Sequence, residues 1–444
     1  MFVRRSWAVV LLVLMPGVGW AEEPTETQVE GKEDTLVIES DVEAPLEAPS
    51  GGATEPATMP PSPGTTGASS RWANLLRLEA TTLTLLPRRG EGRDEGFVQL
   101  EPKVVVRKRG VFNLNLGAPV RLRLWGGAEG ASFVRKEDWD TLSDWGQVVR
   151  MLTVGGDAPN ALWVGALESY TLLSGHLVRR YNNRGNPDYH PAGAVVTGEL
   201  GPVYAEAFAS DVLGARLAGA EVVLDLQHVL FGRPRHSSRY MVSLSAAHDW
   251  GRAGGRAPPM TLAHLDGTAV VVKRGSQDGG FELHLLGGWG GRPGEGGAWG
   301  AVAGLGVESV SPTVDLRARL EGRLQRGGFR QGAFGPDYEL ARFRIAGPST
   351  LPLAHARFPD GSSAYGEVIL SWDAERLGLL ARRHLRLTLG AEAFSRGRVD
   401  LDGRLEVQLL HRDFTVAVGG LAMGMGEPGA RFLVSGEARW RFLG

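Results

Sequence analysis

The chain has 444 residues, of which 43% are apolar and 22% charged, with 63 glycines and no cysteine. Without cysteine there is no disulfide framework, thiol nucleophile, iron–sulfur cluster or Cys-ligated zinc. So much glycine argues against a helical bundle, since each costs about 1 kcal/mol in a helix relative to alanine. The net charge of −2 hides a division: residues 1–21 carry +2, residues 22–70 carry −10, and residues 71–444 carry +6, with only five lysines in the whole chain.

The N-terminus places Arg4 and Arg5 before an apolar run from Trp7 to Trp20 and closes on the small residues Gly19 and Ala21. That is the pattern of a secretory signal peptide, with cleavage expected after Ala21. The run is shorter than the roughly 20 apolar residues of a spanning helix and is interrupted by Pro16. Residues 22–70 hold eleven acids against Lys32, with repeated Pro, Thr, Ser and Gly. Such a segment cannot bury enough apolar surface to offset its ordering entropy, so an extended acidic periplasmic linker is expected, able to hold a periplasmic protein partner.

From residue 71 the chain alternates. In Val314–Gln325 the residues Val314, Leu316, Ala318, Leu320, Gly322 and Leu324 fall on one strand face, and Asp315, Arg317, Arg319, Glu321, Arg323 and Gln325 on the other. Val399–Gln408 repeats this, with Asp400, Asp402, Arg404, Glu406 and Gln408 on the polar face. Arg121 and Arg123, Arg342 and Arg344, and Arg386 with Glu392 alternate with apolar neighbours in the same way. A soluble β-sandwich or β-helix also alternates. Full charges of both signs on the polar faces suit a water-filled lumen instead. Trp125, Trp163, Tyr240, Trp250, Trp289, Trp372 and Trp440, near the predicted strand ends, suit an interfacial girdle. Strands are predicted at 72–85, 97–108, 111–125, 160–170, 191–200, 202–210, 217–227, 239–250, 264–275, 279–290, 297–308, 313–326, 339–346, 363–374, 382–395, 398–411, 413–424 and 429–442. The fold class expected is all-β: a single transmembrane antiparallel barrel over 71–444 with about 18 strands, 16 being the alternative. Longer inserts interrupt it at 127–158, 171–190, 251–262, 327–338 and 347–361.

These features, with the aromatic-rich last strand Ala438-Arg439-Trp440-Arg441-Phe442, resemble outer-membrane β-barrels of Gram-negative bacteria of the porin class. The stretches Asp138-Trp139-Asp140 to Arg150 and Gly175-His176 to His190 look similar to segments of uncharacterised myxobacterial-type barrels. The resemblance implies an integral protein of the cell outer membrane, surrounded by outer-membrane lipid.

The densest polar cluster is a loop containing His176, Arg179, Arg180, Tyr181, Asn182, Asn183, Asp188, Tyr189 and His190. Guanidinium forks, amides and rings are the groups that hold sugar hydroxyls and carboxylates, so the loop reads either as a constriction or as a turn satisfying its own backbone. The acids around Asp138 and Asp144 lack calcium-loop spacing and fit a capped helical loop better. No Gly-x-Ser-x-Gly elbow, His-Glu-x-x-His pair or phosphate-cradling loop occurs, so no catalysis, cofactor or metal is expected. The basic residues are interleaved with acids, which excludes a nucleic-acid surface. Two functions remain open. One is a porin-like channel for polar or anionic solutes or a secreted polysaccharide, with the arginine rows setting selectivity. The other is a plugged barrel that serves as scaffold of an envelope-spanning motility or secretion complex through its acidic tail.

Overall fold

The computed structural model describes residues 77–85, 95–108, 112–125, 132–155, 160–185, 189–214, 216–232, 239–251, 259–276, 279–294, 296–339, 358–373, 384–409, 414–427 and 430–441. The expected signal segment and linker lie outside these residues, as do Asp188, Arg342 and Arg344.

Nineteen strands are described. The first nine are β1 (Arg77–Leu85), β2 (Glu95–Lys108), β3 (Phe112–Gly117), β4 (Val120–Trp125), β5 (Val149–Val154), β6 (Ala161–Gly165), β7 (Gly193–Leu200), β8 (Val203–Ala209) and β9 (Leu217–Asp225). After a six-residue helix, α1 (Leu226–Phe231), come β10 (Tyr240–Asp249), β11 (Met260–Ser276), β12 (Gly279–Gly291), β13 (Trp299–Val310) and β14 (Val314–Arg326). The last five are β15 (Gly361–Asp373), β16 (His384–Phe394), β17 (Val399–Leu409), β18 (Phe414–Met425) and β19 (Arg431–Arg441). Every pairing is antiparallel, and β19 returns to β1 through Glu79↔Arg441, Ala80↔Trp440 and Thr81↔Arg439. The strands therefore form a closed ring.

β3 and β4 are halves of one stave, broken at Ala118-Pro119, where proline offers no N–H to the ladder. β3 pairs with residues 103–108 of β2, and β4 with residues 96–100. Counted once, they leave eighteen staves among the described residues. An even number is what a ring of antiparallel neighbours requires. The expected count of 18 is met, but by different strands. β14 pairs directly with β15, and of the strand predicted at 339–346 all but Glu339 lies outside the described residues. The count is made up by β5, inside the stretch 127–158 that reads as a loop. Its sequence, Val149-Arg150-Met151-Leu152-Thr153-Val154, carries one charge and hardly alternates.

Connections alternate between the two ends of the barrel. One end has short links, such as Gly201-Pro202, where Gly201 takes φ of 60°. The other carries the three longest connections between described strands, 126–148, 166–192 and 327–360.

The two faces of the wall differ as the alternation requires. Outside, exposed apolar residues stand beside one another from strand to strand: Val222 beside Leu244 and Leu244 beside Leu265. Leu285, Leu305 and Leu320 continue the belt. Trp125, Trp289 and Trp372 are also exposed. Inside, His264, Asp266, Glu321, Arg323, Glu392 and Asp400 are buried. A closed antiparallel ring with an apolar belt outside and charge inside leaves no unpaired edge to lipid. The described strands have the build of a membrane-spanning β-barrel. No helix among the described residues is long and apolar enough to cross a membrane.

The apolar core lies inside the barrel, where the inserted segments meet the wall: Leu167, Tyr170, Leu177, Tyr181, Phe329, Phe334 and Tyr338 pack against Val195, Phe208, Leu217 and Leu262. Part of the glycine content makes room for this. A Cβ at Gly290 or Gly300 would come within 2.8 or 2.7 Å of the Phe329 ring.

The belt generates a direct expectation. Leu320→Arg places a charge on the lipid face and should destabilise the barrel in vesicles by about 2–4 kcal/mol if it lies near mid-membrane. Leu142→Arg, at an exposed site on the long-segment end, should have little effect. Denaturant unfolding of the refolded barrel measures both.

Candidate functional site

Segment 166–192 folds back into the lumen as a small hairpin. Tyr170 and Tyr181 bridge in antiparallel register, and Gly175, at φ of 71°, closes the turn. Segment 327–339 lies beside it: Val178 and Phe334 form a parallel bridge, and the Gly332 N–H donates to the His176 carbonyl at 2.7 Å. Together they make a plug.

The plug is seated on the wall by charge. Arg179 donates twice to Glu367, at 2.8 and 3.1 Å, and once to Glu321 at 2.9 Å. Arg180 grips Asp402 with both terminal nitrogens, one at 2.8 Å, and reaches the Tyr365 hydroxyl at 3.1 Å. The Arg180 backbone takes φ of 49°, which non-glycine residues rarely adopt, while its N–H donates to Thr171 Oγ1. Such a conformation persists where the surroundings over-determine it. Tyr365 lies between Arg179 and Arg323, whose guanidinium carbons stand 4.7 and 4.0 Å from its ring centre. Arg330 bonds Asp400 at 3.0 Å, and the Tyr181 hydroxyl donates to Glu339. A cavity of about 40 Å³ remains between the plug arginines and β15–β17, lined by Arg330, Asp337, Tyr365 and Asp402 among others. That is room for a few waters, not for a solute.

The loop before β5 closes over the same end. Thr141 and Asp144 form a capping box on the short helix Leu142–Val148, as the capped-loop reading expects. Asp138 gathers Arg121 at 2.7 Å, Arg135 and the His190 ring at 3.2 Å. Burial pushes the Asp138 carboxyl up, but the His190 hydrogen bond and the two guanidiniums outweigh it and hold it below the usual range. Burial, then the adjacent Arg121, drive the His190 imidazole down to about 4 against the pull of Asp138. Burial beside Arg150 lowers the Arg184 guanidinium to about 9.

The structure thus divides the residues named from sequence. Arg121, Arg319, Arg323, Glu321, Asp400 and Asp402 face inward, where they bind the inserted segments or brace the wall beneath them. Arg317, Arg386, Arg404, Asp315 and Glu406 lie toward the short-turn end. There the lumen is more open: the Arg404 side chain is 42% exposed and Arg323 is 1%. Arg404 pairs with Glu437 at 2.9 Å, and Arg123 donates to the Ser132 carbonyl at 2.6 Å. In the loop, Asn183 serves backbone, accepting from Leu167 N–H and donating to the Ser210 carbonyl. Asn182 accepts from Arg184 N–H, and Tyr189 donates to Asp211. Sequence reasoning missed Tyr365 and Glu367, which alternate with apolar neighbours on β15 and could have been found that way. It also missed His264 and Asp266 on β11, which meet His176. Burial and Arg319 take the His176 imidazole down to about 4, against Asp266 and Glu321.

Two outcomes follow. Arg180→Ala leaves the half-buried Asp402 uncompensated, and should weaken plug seating by about 2–3 kcal/mol, with partial recovery in the Arg180→Ala/Asp402→Ala pair. Limited proteolysis of the plug reads this. Acid should also unseat it through His190, which faces Asp138, Arg121 and Arg184. A ring titrating near 4 when seated and near 6.5 when free binds more protons in the released state between those values. Seating is therefore complete above about pH 6.5 and weakens toward pH 4, by up to roughly 3 kcal/mol. His190→Gln should flatten this dependence.

No family model matches the chain, and no curated protein matches it. Among solved structures, a BenF-like porin from Pseudomonas fluorescens Pf-5 is similar at 9% identity, over 83% of this chain and 97% of that one, with a TM-score of 0.42. OpdK of Pseudomonas aeruginosa, solved with vanillate, is similar at 11% identity, over 83% and 98% of the two chains, with a TM-score of 0.41. Wzi of Escherichia coli, an outer-membrane protein involved in group 1 capsule assembly and a carbohydrate-binding β-barrel, is similar at 11% identity, over 84% and 85%, with a TM-score of 0.42.

Proposed function

We propose that the protein is an outer-membrane channel narrowed on one side by its internal plug, passing small polar or anionic solutes. The observation that carries this reading is the unequal filling of the lumen. Toward the long-segment end, wall charges such as Glu321 and Arg323 are buried under the plug. Toward the short-turn end, Arg317, Arg386 and Arg404 are partly exposed. Long loops face outward and short turns face the periplasm in barrels of this kind, so the plug would guard the outer mouth. Selectivity would then rest on the three open-half arginines rather than on the full arginine rows, because Arg121 and Arg319 hold inserted chain and Arg323 is tied to the wall acids Glu321 and Glu392. A secreted polysaccharide would fit this channel only with the plug displaced.

The apolar core and multiple ion pairs of the plug favour a second reading, a closed barrel acting as a scaffold with residues 22–70 holding a periplasmic partner. Single-channel recording from the full mature chain in a planar bilayer separates the two. The channel reading expects a small, steady conductance with anion preference, reduced or reversed in Arg386→Glu/Arg404→Glu. A silent full chain that conducts only when plug residues 329–338 are replaced by a Gly/Ser linker would favour the closed scaffold.

A further inference from the structure

We propose that His176, His264 and Asp266 form a site for a divalent transition-metal ion of the zinc class, which fastens the plug to the barrel wall. This does not rest on the channel reading, since the ion would fasten the plug in an open or a closed barrel.

The three side chains come from two parts of the molecule. His176 sits on the plug hairpin, while His264 and Asp266 sit on β11 and point into the lumen from alternate positions of one strand. All three are buried, and one donor atom from each lies within 4.8 Å of the others. Two imidazoles and a carboxylate are a donor set that zinc accepts in a dry pocket.

Hydrogen bonding alone leaves this cluster incomplete. His176 Nδ1 contacts Asp266 Oδ1 closely. His264 Nδ1 stands 2.7 Å from that same oxygen but completes no hydrogen bond, and Asp266 Oδ2 is buried with none. Two imidazole nitrogens thus converge on one carboxylate oxygen while two polar atoms of the group go unsatisfied. Such atoms are costly in a low-dielectric interior and call for a partner.

The surroundings suit an ion. The residues opposite Asp266 and His264 on β12 are Gly288 and Gly290, and a Cβ on either would collide with these side chains. Glycine keeps the wall clear at both positions. With a metal on His176 Nδ1, the ring proton moves to Nε2, so the Arg319 nitrogen that now bonds Nε2 has to turn away, leaving Glu321 Oε1, 3.7 Å from Nε2, as the nearby carboxylate toward which the ligating histidine can orient. Arg319 retains its bonds to Glu321 and to the Ser174 carbonyl at 2.7 Å. Gln331 Nε2, from the second plug segment, stands 2.9 Å from His264 Nε2; with the metal on Nδ1 and the amide turned over, Gln331 Oε1 would accept from the protonated Nε2.

The test uses the full mature chain, folded in detergent, stripped with a chelator and titrated with Zn²⁺ alone, with Co²⁺ as a spectroscopic substitute. The expected result is saturable uptake of one ion per chain, with the intense visible bands of tetrahedral cobalt. His264→Gln and the near-isosteric Asp266→Asn should each weaken uptake at least tenfold. His248→Gln, on β10 and bonded to Thr261, should not. Heat-modifiable gel mobility checks that each variant is folded. If neither variant folds, the wild-type cobalt spectrum decides: tetrahedral bands support the site and a weak octahedral spectrum overturns it. No saturable uptake by the wild type, or uptake equal in all four proteins because the acidic linker holds the ion, also overturns it.

Discussion

The bidentate grip of two neighbouring arginines on three wall carboxylates organises the interior. Arg179 and Arg180 are consecutive, yet they reach Glu321, Glu367 and Asp402 on three different strands. A buried carboxylate in a membrane barrel needs a partner, because unpaired charge there costs several kcal/mol. The wall acids and the plug arginines are therefore mutually necessary. Removing the plug would expose a lumen whose charges no longer balance locally, and removing the acids would leave the hairpin with nothing to sit on. The left-handed backbone at Arg180 belongs to the same arrangement: it carries the side chain that holds Asp402 and stands against Glu367.

Much of the fold was legible because its physics is periodic. Successive side chains of a strand must face opposite ways, so Val314–Gln325 declared both its lipid face and its lumen face in sequence. The even number of staves was also legible, though not for the right reasons. β5 was hidden because a short strand with one charge alternates weakly. The segment 339–346 reads as a strand because Arg342 and Arg344 alternate with apolar residues, but those two residues lie outside the described ones. Closure constrains the total and not the identity of the staves, so the described ring reaches eighteen with β5 counted in.

The site was less legible, since it consists of meetings between distant residues. Loop 171–190 stood out by composition, and Arg179, Arg180, Tyr181 and His176 proved central to it. Their wall partners lie 90 to 222 residues away in the chain, and no local pattern encodes such a pairing. His264 and Asp266 look like ordinary lumen residues until His176 arrives beside them. The arginine rows were visible, but sequence could not say which would face water and which would be spent on the plug. The excess of glycine carried the same ambiguity: it signals turns, and at Gly290 and Gly300 it also signals a wall thinned to admit a phenylalanine.

The seam has its own consequence. β1 and β19 join through three residue pairs, whereas β11 and β12 share thirteen. Among the described residues this is the shortest ladder in the ring, and it joins the first strand to the last. Opening it would turn the ring into a ribbon with two bare edges, each ready to pair with another strand. Closing the ring therefore depends on the ladder that joins two strands at opposite ends of the described chain, β1 and β19.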